Sequence, residues 1–294
     1  MATIKIGTFN VNNLFSRFDD PYLEGDDRYR NVVTKPKLLK QRYHLTYRIL
    51  QESPDILAMQ EVENKGALWE FNMGHLGGKF SHALLIEGND SRGIDIALMS
   101  RKYPIGRVTS YQYITHPESS GYCRKVFSRD LLEVEILNKK DNSYLFTLFI
   151  THLKSKFLPW NLSGKEREEK EKKNDALRRL QAETIVKIVK SRFEDLSTAG
   201  FIIAGDFNDT PGSDPLSPLL AQDNELLCYN AALEISDPGD RWTHRYAGEK
   251  NQLDYLLVSS ALKNKIVKNS VHVERTKTHF DASDHHPLYI KLKF

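Results

Sequence analysis

The segment FIIAGDFNDTPG, residues 201–212, constrains the fold and the function of this chain more than any other stretch. Its apolar start predicts a buried β-strand, and Asp206 and Asn208 follow at the carboxyl end of that strand. A carboxylate and an amide at the end of a buried strand cost free energy unless they bind something. Pro211 and Gly212 then turn the chain away from the strand. Taken alone, the pattern also fits a strand followed by an ordinary Asp-rich turn, so the rest of the chain has to distinguish the two interpretations.

Length and composition indicate a globular chain with room for a large core. The chain has 294 residues, of which 40% are hydrophobic and 28% are charged. No linker rich in Pro, Gly or Ser marks a boundary, so we expect a single domain over residues 1–294. Cys123 and Cys228 are far apart and form no CxxC pair, which argues against a disulfide framework and against a zinc site.

The sequence shows no apolar run long enough to cross a bilayer and no N-terminal region typical of a signal peptide. We therefore expect no stable membrane insertion, and a monomer is the expected state. Both a cytoplasmic and a secreted location stay open. The net charge of +3 neither requires nor excludes a polyanionic partner.

Strand and helix patterns alternate along the chain. Apolar runs predict strands at 5–12, 55–61, 82–86, 94–99, 106–115, 130–137, 144–151, 201–206, 252–258, 265–275 and 288–294. Helices are predicted at 36–52, 66–71 and 176–193, and the charged run 165–173 fits either a solvated helix start or a loop. A long polar loop is predicted from residue 13 to residue 30. Strand pairs mixed with strand–helix alternation favour an α/β fold with helices outside mixed sheets.

Polar side chains of one chemical kind recur where the predicted strands begin or end. They are Asn10, Glu61, His152, Asp206, Asn208, Asp254, Asp284 and His285. One such residue carries little information, but eight indicate convergence on one site. Oxygen ligands without cysteine favour Mg²⁺, with Mn²⁺ or Ca²⁺ as alternatives, over zinc. The chemistry that fits is metal-assisted attack of water on phosphorus, with a carboxylate deprotonating the water.

The order of these motifs resembles that of the endonuclease/exonuclease/phosphatase superfamily. The matching stretches are TFNVNNL, QEVE, RGIDIALMSR, THLKSK, RRLQAETI, GDFNDTP, QLDYLLVS and SDHHPL, which extend from residue 8 to residue 288. Each stretch alone is weakly specific, whereas their joint order is highly specific. The resemblance implies a four-layer α/β/β/α sandwich of two mixed, mostly antiparallel sheets, as in the pancreatic-type deoxyribonucleases. It also implies a divalent-metal-dependent phosphoester hydrolase.

The resemblance further implies roles on the metal and water side of the site. Glu61 would be the principal metal ligand, with Asn10 nearby and Asp284 as a further ligand. Asp206 would orient and deprotonate the attacking water, and Asn208 would hold the scissile phosphate.

On the side of the leaving group, His152 would stabilise or protonate the departing oxygen. His285, paired with Asp254, would bind a phosphoryl oxygen, although accounts of the family have also cast this histidine as the base. His286 is expected to be structural. The residues expected to contact substrate are Asn12, Arg92 and Lys154.

Three functions stay open. A nuclease acting on DNA or RNA is favoured by Lys154, Lys156 and the basic residues of 165–173. A sphingomyelinase-like or phosphoinositide-type phosphoesterase is the alternative, which the apolar loop patch at 157–162 favours. A catalytically inactive binding module is disfavoured because the whole set of polar strand-end residues is present.

Overall fold

The structure of the chain, a computed structural model, describes residues 3–16, 36–116, 124–221, 223–276 and 282–294. Most of the predicted loop at 13–30 lies outside these ranges, as does Cys123. Within them, no helix is long and apolar enough to span a bilayer.

The described residues form fourteen strands and five α-helices. The strands are β1 (Thr3–Leu14), β2 (Ile56–Val62), β3 (His82–Leu85), β4 (Asp95–Ser100), β5 (Ile105–Ser110), β6 (Leu131–Leu137), β7 (Tyr144–His152), β8 (Phe201–Asp206), β9 (Cys228–Asn230), β10 (His244–Tyr246), β11 (Glu249–Asn251), β12 (Asp254–Ser259), β13 (His272–Val273) and β14 (Leu288–Lys293). The helices are α1 (Leu39–Glu52), α2 (Lys65–Gly74), α3 (Gly164–Arg192), α4 (Ser217–Leu220) and α5 (Ser260–Lys263).

The strands assemble into two six-stranded sheets and one hairpin. The first sheet has the order β13-β14-β1-β2-β4-β3, and the second has the order β5-β6-β7-β8-β12-β9. Strands β10 and β11 form the hairpin. Only the pairs β1/β2 and β7/β8 are parallel, so both sheets are mixed and mostly antiparallel.

Alternation along the strands divides the core into layers. Ile56 of β2 belongs to the apolar cluster between the sheets, together with Ile202 of β8. The next residue, Leu57, faces the other way and packs with α1 and α2. On the outer face of the second sheet, Ile203 packs with Ile185 of α3. The result is the predicted α/β/β/α sandwich, because central strands such as β2 and β8 have apolar side chains on both of their faces.

The observed elements differ most from the predicted ones at three places. The predicted strand at 106–115 ends at Ser110, because a hydrogen bond from the Ile114 N–H to the Tyr111 carbonyl closes a turn beyond it. Helix α3 begins at Gly164 and so includes the charged run, because Ser163 and Glu166 cap each other reciprocally at its start. The predicted strand at 265–275 was wrong for most of its length. A hydrogen bond from the Ser270 N–H to the Val267 carbonyl closes a turn there, so that pairing with β14 is reduced to an isolated bridge at Ile266 and to the short strand His272–Val273.

Candidate active site

Strand register places three of the predicted residues side by side at one edge of the second sheet. Asp206 ends β8, where it lies opposite Asp254 of β12 and opposite His152 of β7. Gly205 permits this close pairing, since its φ is +148° and a Cβ there would lie 1.9 Å from the Thr151 carbonyl oxygen. A larger residue at position 205 would force β7 and β8 apart next to the site.

The first sheet contributes Asn10 to the same point. The Asn10 Nδ2 donates to Asp206 Oδ2 at 3.0 Å and to Glu61 Oε1 at 3.3 Å. The Asn10 Oδ1 accepts the backbone N–H of Asn12 at 3.0 Å, which fixes the orientation of the amide. The amide therefore connects two carboxylates and joins the two sheets at this edge. In this orientation Nδ2, and not Oδ1, faces the carboxylates.

Four polar residues around this point have left-handed backbone. The φ angles are +51° at Asn12, +59° at Asn13, +65° at Glu61 and +54° at Asn208. Register shifts interrupt β1 and β2 at the first three of these positions. All four residues line one cavity of about 710 Å³, which we call the catalytic cavity. Backbone strain in residues other than glycine concentrates at functional sites, and here it accompanies four side chains of a single cavity.

His285 and Asp254 form a buried pair at the base of the catalytic cavity. The His285 Nδ1 lies 2.7 Å from Asp254 Oδ2, and its Nε2 lies 3.7 Å from Asp206 Oδ2. Burial lowers the pKa of His285, but the charges of Asp254 and Asp206 outweigh this effect and raise the pKa to about 10. The ring is therefore an imidazolium at neutral pH, held between two carboxylates.

Asp206 is ionised because the positive charge and the hydrogen-bond donors around it outweigh the effect of burial. Burial acts to raise its pKa, but the charge of His285 and hydrogen bonds from His152 and Asn10 bring the pKa well below its usual range. The backbone N–H of Asn208 donates to Asp206 Oδ1 at 2.8 Å. The His152 Nε2 lies 3.4 Å from Asp206 Oδ2, and burial together with the charge of Arg129 lowers the pKa of His152. Asp206 is thus a buried carboxylate with donors on both of its oxygens.

A family model described as the Endonuclease/Exonuclease/phosphatase family matches residues 7–285. The chain belongs to this family. Enzymes of the family are hydrolases that act on phosphoesters, and they generally use divalent metals. Comparison with curated proteins gives no match.

Solved structures of endonuclease/exonuclease/phosphatase proteins have a fold similar to that of this chain. The human Nocturnin catalytic domain with bound sulfate has a TM-score of 0.65 at 16% identity, covering 99% of this chain and 94% of that one. The endonuclease/exonuclease/phosphatase protein from Bacteroides vulgatus has a TM-score of 0.64 at 17% identity, with 100% of both chains covered. The D. rerio TDP2 complexed with single strand DNA product has a TM-score of 0.61 at 16% identity, again covering 100% of both chains. At these identities the likeness establishes the fold.

The donor set in the catalytic cavity fits the divalent cation that the family generally uses. In the part of the chain that the structure describes, no cationic side chain lies within ion-pair distance of the Glu61 carboxylate. The Glu61 Oε2 accepts only the Asn13 N–H, at 3.1 Å. Asp206 and Asp284 line the same cavity. A carboxylate that has no ion-pair partner among the described residues and shares a cavity with other carboxylates is a favourable environment for a hard cation.

The expected substrate residues divide between two places. Arg92 lines the catalytic cavity and pairs with Asp90, with its Nε 3.2 Å from Oδ1. Asn12 also lines the cavity, where its Nδ2 donates to Asp284 Oδ1 at 3.0 Å. Lys154 instead lines a neighbouring pocket of about 640 Å³ that shares Arg92 with the catalytic cavity.

Arg48, which was not predicted from the sequence, holds the loop that carries His285. The Arg48 Nε lies 2.6 Å from Glu274 Oε2, and its Nη1 donates to the His285 carbonyl at 3.3 Å. Its Nη2 lies 2.9 Å from His286 Nδ1, and burial together with the charge of Arg48 lowers the pKa of His286 to about 4. His286 packs edge-on against Trp242 and stays neutral. In the sequence, the available indication that Arg48 has a structural role is that this charged residue lies within the apolar side of α1.

His244 and Lys37 were also not predicted. The His244 Nε2 lies 3.6 Å from Asp284 Oδ2, and its ring centre lies 4.7 Å from that of His285. The Lys37 Nζ donates to the Asn12 carbonyl at 2.6 Å. Burial lowers the pKa of Lys37 to about 8, against the opposing effect of Glu61 and Asp284. In the sequence, the only indication that His244 belongs to the site is its position next to an aromatic loop. The corresponding indication for Lys37 is its position at the end of a polar loop.

Proposed function

We propose that the chain is a divalent-metal-dependent phosphodiesterase that cleaves DNA or RNA by means of a water molecule activated at Asp206. The observation that carries the phosphodiesterase proposal is the contact set of Asp206. This buried carboxylate accepts from Asn10, lies close to His152 and His285, and borders a cavity that also contains Glu61.

In this proposal Asp206 orients the attacking water and accepts its proton. Its depressed pKa keeps the carboxylate ionised throughout the neutral range. The imidazolium of His285 donates from Nε2 to a phosphoryl oxygen, while Asp254 holds the ring through Nδ1. The Asn208 Nδ2 donates to the Leu153 carbonyl at 3.0 Å and retains a second N–H for the scissile phosphate.

Glu61 and Asp284, with Asn10 beside them, are the residues that we propose hold the cation. When bound, the cation supplies positive charge that stabilises the negative charge developing on the phosphoryl group. Coordination through Asn10 requires exchange of the amide O and N, because the Asn12 N–H now holds Oδ1. His152 lies next to the Asp206 Oδ2, whereas the Asn208 N–H binds Oδ1. With its lowered pKa, His152 acts as a neutral hydrogen-bond donor toward the leaving oxygen.

The rim of the catalytic cavity favours nucleic acid as the substrate. Phe157 and Tyr246 both line the cavity, and each is 73% exposed. Exposed aromatic rings next to a phosphate site are stacking platforms for bases, since every base offers a π-face. The D. rerio TDP2 structure of similar fold contains a single strand DNA product, which supports the same substrate class.

A lipid phosphodiester or phosphoinositide is the second candidate, and one observation favours it. Trp160 is 91% exposed and lies in the same loop as Phe157, between β7 and α3. The predicted apolar patch at 157–162 therefore presents two rings to solvent beside the catalytic cavity. Exposed aromatic side chains of this kind also insert into the surface of a membrane.

To test this, the protein is incubated in the presence of Mg²⁺ or Mn²⁺ with each of five substrates in parallel. The substrates are single-stranded DNA, duplex DNA, RNA, sphingomyelin vesicles and phosphoinositide vesicles. Asp206→Asn and His285→Gln are the inactive controls, and Asp223→Asn, an exposed aspartate far from the catalytic cavity, is the matched control. We expect cleavage of nucleic acid that Asp206→Asn and His285→Gln both abolish. Turnover of a vesicle substrate alone would favour the lipid candidate. No turnover of any substrate would leave a binding module, and nucleic-acid cleavage that persists in Asp206→Asn would refute the assignment of the base.

A further inference from the structure

A second pocket adjoins the catalytic cavity and is strongly cationic. It has a volume of about 640 Å³ and shares Arg92, Ser155 and Phe157 with the catalytic cavity. We call it the anion pocket. The cationic side chains that line it are Arg92, Arg124, Lys125, Arg129, Lys154, Lys170 and Lys173. Asp90 is the one carboxylate that lines it within the described residues.

The charge of these side chains is mostly not neutralised by the protein. Asp90 pairs with Arg129, at 3.0 Å between Oδ2 and Nη1, and with Arg92. In the described ranges, Arg124, Lys154, Lys170 and Lys173 have no acidic partner within ion-pair distance. Burial and the nearby charges of Arg129 and Lys170 lower the pKa of Lys154 to about 8, as expected where cations crowd together without an anion.

Three buried donors without a partner line the same pocket. Within the described part of the chain, the Ser128 Oγ, the Arg129 Nε and the Asn174 Nδ2 make no hydrogen bond. Arg129 is 2% exposed and Asn174 is 3% exposed. A buried polar group without a hydrogen-bond partner destabilises the protein, so such groups indicate that a ligand supplies the missing hydrogen bonds. Hydroxyl, guanidinium and amide donors surrounded by lysines are the set that recognises a phosphate group.

We propose that the anion pocket binds a second phosphate group of the substrate while the scissile phosphate lies in the catalytic cavity. This inference rests on the proposed function only in treating the bound phosphate as part of the substrate. That the anion pocket binds a phosphate is inferred separately, from its unpartnered donors and its positive charge. The substrate class is then a phosphodiester with another phosphate close by, such as a nucleic-acid strand. A dinucleoside monophosphate or sphingomyelin, each with a single phosphate, leaves the anion pocket unused.

The first test measures binding and requires no catalysis. The probe is inorganic pyrophosphate, titrated calorimetrically into wild type, Lys170→Ala/Lys173→Ala and Lys165→Ala/Lys172→Ala. The last variant removes the same charge from the same helix at positions that do not line the anion pocket. We expect the Lys170/Lys173 variant to bind about tenfold more weakly than wild type, and the control variant to bind within about twofold of it. Equal weakening in both variants, or in neither, would overturn the proposal.

The second test compares substrates that differ by one phosphate. Wild type should cleave pTpT or TpTp with a kcat/KM about tenfold above that for TpT, and the Lys170/Lys173 variant should lose this preference while keeping its activity on TpT. Asn174→Asp, which keeps the shape of the side chain but adds negative charge, should lose the preference as well, with its Tm measured to confirm folding. A preference unchanged in both variants would exclude the anion pocket as the second phosphate site.

The two tests separate the two proposals. If no phosphoester is cleaved but pyrophosphate binding depends on Lys170 and Lys173, the proposed function fails and the anion pocket stands. If TpT is cleaved but neither pyrophosphate binding nor the substrate preference depends on Lys170 and Lys173, the anion-pocket proposal is wrong and the proposed function stands. If only phosphoinositides with a second phosphate show the dependence, the pocket binds its phosphate from a lipid and the nucleic-acid assignment is wrong.

Discussion

Arg178 and Asp209 form an ion pair in which Nε lies 2.9 Å from Oδ2 and neither side chain is more than 1% exposed. The Arg178 Nη1 also donates to the Lys154 carbonyl at 2.7 Å. Asp209 directly follows Asn208, and Lys154 lies two residues after His152. One side chain of α3 therefore holds both loops that follow the catalytic strands β7 and β8.

Removing one partner of this pair should destabilise the protein. We expect Arg178→Met to lower the free energy of unfolding by about 3 kcal/mol, because the buried Asp209 carboxylate loses its buried counterion and keeps only the half-exposed Lys156. Urea denaturation provides the measurement. Arg179→Met is the control, since Arg179 is 37% exposed and its ion pairs should contribute less than about 1 kcal/mol. Equal losses in the two variants would show that burial of the pair does not matter.

Asp254→Asn should shift the pH dependence of hydrolysis. The pKa of His285 in the folded protein is about 10, above its ordinary value of 6.5, so the imidazolium persists at neutral pH and is lost as pH rises through about 10. Without the Asp254 carboxylate this alkaline limb should move toward pH 6.5, and kcat/KM at pH 8 should fall by up to about 30-fold, because the protonated fraction of His285 falls by that factor.

The measurement is the profile of kcat/KM against pH, with the NMR titration of His285 as a second readout. Asp223→Asn, at an exposed position, should keep the profile of the wild type. A variant Asp254→Asn with an unmoved alkaline limb would show that this pair does not set the protonation of His285.

Glu61→Gln should remove most of the response to divalent metal. We expect saturating Mg²⁺ or Mn²⁺ to raise the Tm of wild type. At a metal concentration of one hundred times Kd, the free energy of unfolding should rise by about 3 kcal/mol. The variant should show little of this increase, and without metal it should be at least as stable as wild type, because one of the carboxylates that line the catalytic cavity is gone. Glu194→Gln, an exposed residue, serves as the control. A full metal response in Glu61→Gln would place the cation elsewhere.

The contact between β13 and α1 should make stability depend on pH. The His272 Nε2 lies 3.0 Å from Glu52 Oε2, and Lys5 contacts the same carboxylate. The hydrogen bond to Glu52 raises the pKa of His272, so its contribution is complete below pH 6.5 and is lost as pH rises through the folded pKa. Burial acts to raise the pKa of Glu52, but His272 and Lys5 lower it to about 2, so that contribution is lost as pH falls from 4.5 toward 2.

His272→Gln should therefore cost most between pH 4.5 and pH 6.5, and less at pH 8. We expect a loss below about 1 kcal/mol in the free energy of unfolding, because the His272 side chain is 40% exposed and its charge is screened. Chemical denaturation at pH 5.5 and pH 8 checks the difference. In a Glu52→Gln background the pH dependence of the effect should vanish, and its persistence there would assign it to another group.

The sequence alone was sufficient for the layers of the fold and for the order of the catalytic motifs. The near-continuous apolar run of β2 predicts a strand that is buried on both faces, since side chains of neighbouring residues point to opposite sides of a sheet. The resemblance of the motifs to a known family named Glu61, Asp206, Asp254 and His285, and the structure brings these residues together. Their chemical roles stay predictions. The predicted strand at 265–275 failed because a turn at Val267–Ser270 outweighed its apolar residues.

Other features depended on the tertiary structure. The Asn10 amide meets the Asp206 carboxylate across 196 positions of sequence, and Arg48 meets Glu274 across 226. The anion pocket likewise combines four stretches of chain around Arg92, Arg129, Lys154 and Asn174. Periodicity and turn residues are local properties, so the sequence determines which residues end a strand and which face is apolar. Whether a charged group has a partner, and so whether its pKa moves or it remains available to a ligand, depends on residues far away in sequence, and only packing of the two sheets decides that.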